Sequence, residues 1–367
     1  MVAVAAATAL AAAFATTAAV FSSLDANPML CLYAATLTDA KLDRAWSGKN
    51  VIVVGASSGI GAELASQLAA HGANLVLTGR DEGRLKGVAE RCRGEAAAGS
   101  VTPLRLDGTA QGGALDLSVD GAIAALEGDG GVDVLILNAG QGQLLPAVMT
   151  PEATTREMME VNFHCPVRIA SRVIQKCQWG KAVDGSTVKG GHVVVTSSVL
   201  AKIPGPLSSS YVAAKHAVQG YFGTLRSENP WLRVDLPCPG PIDTPFGTRS
   251  RTDAKHKAEG ASASANENRP PPEEDLSSKA KMSAGRCARL ILAGMTGPQA
   301  LFYETLIMRQ PTLGFAYLTQ LLPSVANVIL RKVGPLRQRV WEAGLDLYDP
   351  ASFRNVARIE RERQERK

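Results

Sequence analysis

The run Val51-Ile52-Val53-Val54-Gly55-Ala56-Ser57-Ser58-Gly59-Ile60-Gly61 joins four β-branched apolar residues to a glycine-punctuated turn and the start of a helical pattern that continues to Ala70. An apolar run this short, bounded by glycine, reads as a strand buried on both faces. Glycines at 55, 59 and 61 let the backbone turn tightly and approach a pyrophosphate closely, with the phosphates resting on the N-terminus of the helix. A glycine-rich stretch alone can be a plain turn. Its place directly between a strand and a helix makes phosphate cradling the stronger reading.

Outward from this stretch, short apolar runs recur between helical segments. Asn74–Thr78, Val101–Leu106, Val132–Leu137, His192–Thr196 and Arg233–Leu236 read as further strands. Strands and helices alternating at this interval predict an α/β, Rossmann-type doubly wound parallel sheet with helices on both faces. No internal repeat is visible. The expected organisation is an apolar segment over 1–24, a linker over 25–48 and a catalytic domain over 49–247. A flexible excursion, rich in Ser, Ala, Asn, Pro and charge, follows over 248–281. A helical C-terminal extension (282–350), interrupted by Pro311, Pro323 and Pro335, precedes a charged tail (351–367). Within the extension, Leu313–Val333 has three readings: packing on the main domain, a lid over a substrate cleft that touches a membrane surface, or a second membrane span.

Composition narrows the class. The 367 residues are 46% apolar and 20% charged, with a net charge of +5. This suits a globular chain, and with no basic-aromatic platform it argues against a nucleic-acid partner. Cys31, Cys92, Cys165, Cys177, Cys238 and Cys287 lie far apart without metal-ligand spacing, as expected of reduced, mostly buried thiols. Residues 1–24 carry no charge, and eleven of them are Ala. About 20 apolar residues can span a bilayer, so a membrane anchor is expected, with a targeting peptide as the alternative. An anchor would leave Lys41, Arg44 and Lys49, and the domain after them, on the cytosolic side.

Chemistry gathers in a second group of residues. In Tyr211-Val212-Ala213-Ala214-Lys215 the phenol and the ammonium stand four residues apart, on one face of a helix. A neighbouring cation lowers a phenol's pKa from ~10 toward the working range and makes it a usable acid/base. The same spacing also occurs as surface decoration, so company matters. Ser198 stands thirteen residues earlier, in Val-Val-Val-Thr-Ser-Ser at the end of a strand, at the carboxyl edge where parallel sheets bind ligands. Such a serine can also simply cap a turn. Asn138-Ala139-Gly140 follows the fourth strand, and Asn162 lies on the next helix.

In this order and spacing, these elements resemble the short-chain dehydrogenase/reductase family, over roughly Lys49 to Gly247. The resemblance implies Tyr211 as general acid/base, Lys215 as its pKa-lowering partner and ribose ligand, Ser198 on the substrate oxygen and Asn162 on a relay water. It implies cofactor contacts from Gly55, Ser57, Ser58, Gly59, Ile60 and Gly61, and support of the adenosine side by Asn138, Ala139 and Gly140. Pro239, Gly240, Ile242 and Thr244 would hold the nicotinamide carboxamide. Asp107 would contact adenine, with Asp116 as a competing assignment. Family members that use NAD carry an acid at the end of the second strand. Here Gly79-Arg80 stands there, and a guanidinium suits the 2′-phosphate of NADP(H). Two positions depart from the family pattern: Val54 stands where Thr is usual, and Leu137 precedes Asn138 where a second Asn is usual. Pro237 lies near the end of the sixth strand and predicts that strand to be short or irregular.

The C-terminal stretches Arg286–Leu290, Gln310–Leu313 and Tyr317–Pro323 are similar to the dehydrogenase/reductase SDR family member 7 group. That group implies an N-terminal anchor, an endoplasmic-reticulum location with a cytosol-facing catalytic domain, and lipophilic substrates such as steroids or retinoids. Dimers are common in the wider family. The leading expectation is an NADP(H)-dependent reductase of a lipophilic ketone or aldehyde. The competing expectations are a dinucleotide-binding sensor without turnover and a nucleotide-sugar epimerase.

Overall fold

The computed structural model describes residues 23–110, 113–126, 131–182, 188–247, 249–252, 281–345, 347 and 350–364. Strands β1 (Asn50–Val54), β2 (Asn74–Gly79), β3 (Val101–Arg105), β4 (Val134–Leu137), β5 (Gly191–Val195) and β6 (Leu232–Pro239) occupy the expected segments. Two short strands, β7 (Ile242–Asp243) and β8 (Met282–Ser283), pair with each other, and β9 (Glu304–Ile307) completes the set. The main sheet is all parallel, in the order β3-β2-β1-β4-β5-β6-β9. Its order reverses between β1 and β4, and parallel sheets bind ligands at that crevice.

Strand alternation explains why the sheet needs helices on both sides. Val51, Val53, Leu75, Leu77, Val134 and Ile136 face one layer: α1 (Pro28–Thr36), α2 (Asp39–Trp46), α3 (Gly59–Ala70), α4 (Glu82–Arg93) and the later α9 (Ala284–Thr296). Ile52, Val54, Val76 and Leu135 face the other: α5 (Ala114–Ala124), α7 (Cys165–Lys176) and α8 (Ser209–Glu228). Between α5 and α7 lies α6 (Glu152–Met159). Period-two side chains thus feed two separate cores from one apolar strand.

The span expected as a linker carries α1 and α2. Leu30 and Leu42 are fully buried, Trp46 Nε1 donates to Thr296 Oγ1 at 2.9 Å, and Asn27 N donates to Leu306 O at 2.9 Å. Most of the apolar segment 1–24 lies outside the described residues, as do 253–280 of the excursion. The two ends of that excursion meet where β7 runs beside β8. An insertion whose ends are already adjacent adds little closure cost to the fold.

The sixth strand is neither short nor irregular. It runs eight residues and includes Pro237 and Pro239. Leu236 N and Gly240 N donate to Tyr303 O and Ile307 O, whereas Pro237 O accepts from Ser197 N. Successive residues face opposite neighbours, so both prolines turn their missing N–H toward β5, which has ended at Val195. No ladder donor is lost. The neighbour on the other side, β9, lies inside a region expected to be wholly helical. Four residues are too few for periodicity to separate a strand from a helix turn.

The rest of the extension is helical: α10 (Gln299–Phe302), α11 (Thr312–Leu321), α12 (Pro323–Glu342) and α13 (Pro350–Gln364). Pro311 and Pro323 stand at helix starts, where the missing N–H costs nothing, but Pro335 lies inside α12 without ending it. Among the described residues no helix is long and apolar enough to cross a membrane, so Leu313–Val333 is two helices and not a span. The outer face of α12 leaves Val325, Val328 and Ile329 exposed.

Beneath β5 and β6, Asp235 accepts from Arg233 Nε at 3.0 Å and sits 2.8 Å from His192 Nε2. Arg233 also donates to Gly294 O and Gly297 O, fastening α9 to the sheet. Because Arg233 already neutralises Asp235, burial governs His192 and holds it below the usual imidazole value. The unfolded chain therefore binds the extra proton first, and stability falls as pH drops below about 6.5. Urea midpoints at pH 7.5 and 5.5 test this: His192→Gln flattens the difference.

Candidate active site

The glycine-rich turn leads from β1 into α3, with Gly55 at φ +87° and Gly59 at φ +61°. A Cβ on Gly55 would lie 2.6 Å from Ala139 N, and one on Gly61 would lie 2.2 Å from Gly55 O. No other residue fits either place. Ser58 precedes α3 without a side-chain capping bond, which leaves first-turn N–H groups available to an anion. Asn138 Nδ2 donates to Gly55 O at 3.2 Å, and Thr196 Oγ1 donates to Asn138 Oδ1 at 3.0 Å. Three strand ends are thereby tied together.

Over these ends opens a cleft of about 1440 Å³. Of the cofactor residues expected from sequence, Gly55, Ser57, Ser58, Gly59, Ile60, Arg80, Asp107, Asn138, Ala139, Gly140, Pro239, Gly240, Ile242 and Thr244 line it, together with Ser198, Tyr211 and Lys215. Gly61 lies behind the turn as a packing residue. Val54 and Leu137, the two departures from the family pattern, also line the cleft. Asp107 Oδ1 accepts from Thr109 N at 3.0 Å and Oγ1 at 2.7 Å. Burial alone would raise its carboxyl pKa, but these bonds, with Arg80 and Arg105, hold it below the usual carboxylate range. Asp116, the competing assignment, stands in the first turn of α5, 3.9 Å from Arg172.

Tyr211 and Lys215 stand one turn apart on α8, both buried, with Lys215 Nζ 5.7 Å from the phenol ring centroid. Lys215 Nζ donates to Thr196 O at 2.8 Å. Burial pushes this ammonium down to about 8. Ser198 Oγ accepts from Leu200 N at 3.1 Å and so caps a short turn, while its own O–H still borders the cleft. The Phe246 ring lies 5.8 Å from that of Tyr211.

Asn162 is placed differently. It is 1% exposed and sits in a single wide π turn (Glu160–His164) between α6 and α7. Its Oδ1 accepts from Gln141 N, and its Nδ2 donates to Gln141 O and Met158 O. The side chain thus braces the cleft wall from behind. A Cβ on Gly140 would lie 3.0 Å from Asn162 Oδ1 and 3.9 Å from Lys215 Nζ, so the three groups converge.

Gln143 was not legible as part of this site. Its Oε1 accepts from Ser210 N at 2.9 Å and Tyr211 N at 3.4 Å, and its Nε2 donates to Thr150 Oγ1 at 2.6 Å. Ser208, the residue before α8, makes no side-chain cap, so Gln143 caps the helix from another loop. The C-terminal segments, for which a lid over a substrate cleft was one expectation from sequence, contribute Phe315, Leu330, Val333, Trp341, Leu345 and Phe353 to the lining of the cleft.

Residues 49–255 match the short chain dehydrogenase family model. The chain belongs to the short chain dehydrogenase family. Its members are oxidoreductases that bind a nicotinamide dinucleotide, and the β1–α3 turn has the backbone clearance such a ligand needs. This chain is 32% identical over 302 residues to human dehydrogenase/reductase SDR family member 7, covering 81% of this chain and 80% of that one. It is 38% identical over 184 residues to the hydroxysteroid 11-beta-dehydrogenase 1-like protein of Macaca fascicularis, covering 49% and 58%. Among solved structures, the Thermococcus sibiricus alcohol dehydrogenase complexed with 5-hydroxy-NADP is 25% identical with a TM-score of 0.55, covering 71% of this chain and 97% of that one.

Gln143→Ala removes the acceptor for two buried N–H groups at the start of α8 and costs about 1–2 kcal/mol, read from denaturant unfolding. Lys215 gives an opposite sign. Its folded value is depressed, so it opposes folding below pH 8, and the penalty fades toward its unfolded value of about 10.4. Lys215→Met therefore raises Tm at pH 7, with a gain that shrinks at pH 10 in scanning calorimetry.

Proposed function

We propose that this short-chain dehydrogenase is an NADPH-dependent reductase of a lipophilic ketone or aldehyde of the steroid, retinoid or lipid kind. The observation that carries this reading is one cleft holding Tyr211, Lys215 and Ser198 beneath an apolar wall of C-terminal helices. A bound reduced nicotinamide supplies the hydride. Tyr211 donates its phenolic proton to the carbonyl oxygen, so that hydride and proton together give the alcohol. The hydroxyl of Ser198 donates a hydrogen bond to the same oxygen and holds it toward Tyr211. The Lys215 cation stabilises the phenolate left behind and holds the nicotinamide ribose, while Asn162 keeps the wall in place for the relay water.

The N–H groups around Ser57, Ser58, Gly59 and Ile60 hold the pyrophosphate, and Asp107 accepts from the adenine amine. Arg80 holds a 2′-phosphate; Gly79 precedes it, and the acid that follows it, Asp81, is engaged in capping α4 by accepting from Arg84 N. The Ile242 backbone and the Thr244 hydroxyl orient the carboxamide. In this proposal residues 49–247 are the catalytic domain, and 282–350 are a lid whose inner face contacts substrate. Residues 1–24 tether the chain to an endoplasmic-reticulum-type membrane with the catalytic domain on the cytosolic side, and the exposed apolar face of α12 rests on that surface.

The test uses the full chain in detergent, because a cut after residue 40 would remove α1 and its fully buried Leu30. NADPH and NADH are titrated by fluorescence, followed by NADPH oxidation with a panel of ketones, aldehydes, steroids and retinoids. Arg80→Asp weakens NADPH selectively. Tyr211→Phe keeps binding and loses roughly 10²–10⁴-fold in turnover. Turnover unchanged in Tyr211→Phe, or no nucleotide binding by the folded parent, refutes the mechanism.

A further inference from the structure

Beyond the motif ending at Thr244, residues 245–247 and 249–252 run along the cleft as a strap. One end is set by Thr244, whose Cγ2 would touch a Cβ on Gly59 at 3.1 Å. The other end is pinned by Arg251: its N donates to Gly142 O at 2.8 Å, and its O accepts from Leu144 N at 2.9 Å. The Arg251 guanidinium also grips Glu157, with Nε at 3.0 Å from Oε2 and Nη2 at 2.6 Å from Oε1. Phe246, between these anchors, lies against Tyr211.

Arg249 is held between the two anchors. Its side chain lines the cleft, and Nη1 lies 3.4 Å from Ser58 Oγ. Among the described residues the guanidinium meets that hydroxyl and not a carboxylate. Ser58 is the residue before α3, so a full positive charge is set beside a helix N-terminus that already carries a positive partial charge. Arg80 borders the same cleft. Positive features set this close together repel unless an anion is shared between them.

We propose that Arg249 is a further cofactor-binding residue, its guanidinium reaching from the strap to a phosphate of the dinucleotide beside the glycine-rich turn. The proposal rests on the dinucleotide reading above. The phosphate is either the pyrophosphate, common to NADH and NADPH, or the 2′-phosphate of NADPH, and planar donors suit both.

The full chain, R249Q, R249K and a surface-charge control R156Q are titrated with NADPH and with NADH by fluorescence, each checked for an unchanged Tm. R249Q is expected to raise Kd about tenfold, as for a lost charge-assisted bond, with R249K between it and the parent and R156Q unchanged. An equal loss for both nucleotides assigns the pyrophosphate, and a loss confined to NADPH assigns the 2′-phosphate. A parent that binds NADPH while R249Q binds it equally well overturns the Arg249 assignment alone. A folded parent that binds neither nucleotide overturns the dinucleotide reading and this assignment with it.

Discussion

Where β1 and β4 leave the sheet side by side, their turns pack backbone against backbone. The carbonyl of Gly55 accepts from the Asn138 amide, and a side chain at 55 or 61 would overlap Ala139 or Gly55 itself. This contact sets the depth of the crevice at the switch point and aims the start of α3 into it. The cleft's other walls are built relative to it. Asn138 passes the restraint on to Thr196, whose carbonyl in turn receives Lys215. One chain of hydrogen bonds thus runs from the glycine-rich turn to Lys215.

That chain ends on a group the fold holds at a cost. Lys215 is buried with its ammonium near a carbonyl and a phenol ring, and desolvation brings it down to about 8. Stability for this arrangement comes from elsewhere: the apolar layers on both faces of the sheet, and Gln143 at the start of α8. Ionisable groups perturbed by desolvation in this way cluster at functional sites.

The parts added beyond β6 shape what the cleft admits. β9 extends the sheet by one strand and provides the edge from which α11 and α12 return over the crevice. The strap through Arg251 and Phe246 closes the opposite margin. Phe315, Leu330, Val333 and Trp341 line the cleft from the C-terminal helices, and Phe246 and Arg249 line it from the strap.

Sequence alone determined six of the seven strands of the main sheet, the glycine turn and the Tyr211–Lys215 pairing, because each is a local pattern. A short apolar run, a strand–turn–helix junction and an i, i+4 spacing are all complete within a dozen residues. Tertiary structure decided the rest. Pro237 is tolerated because of the side on which β5 stops, Asp107 borders the cleft where Asp116 faces Arg172, and α1 and α2 become core because β9 and α9 offer them a face. Gln143 and Arg249 acquire their positions from partners 67 and 191 residues away. Such contacts depend on how distant segments meet, and no periodicity in either segment records the other.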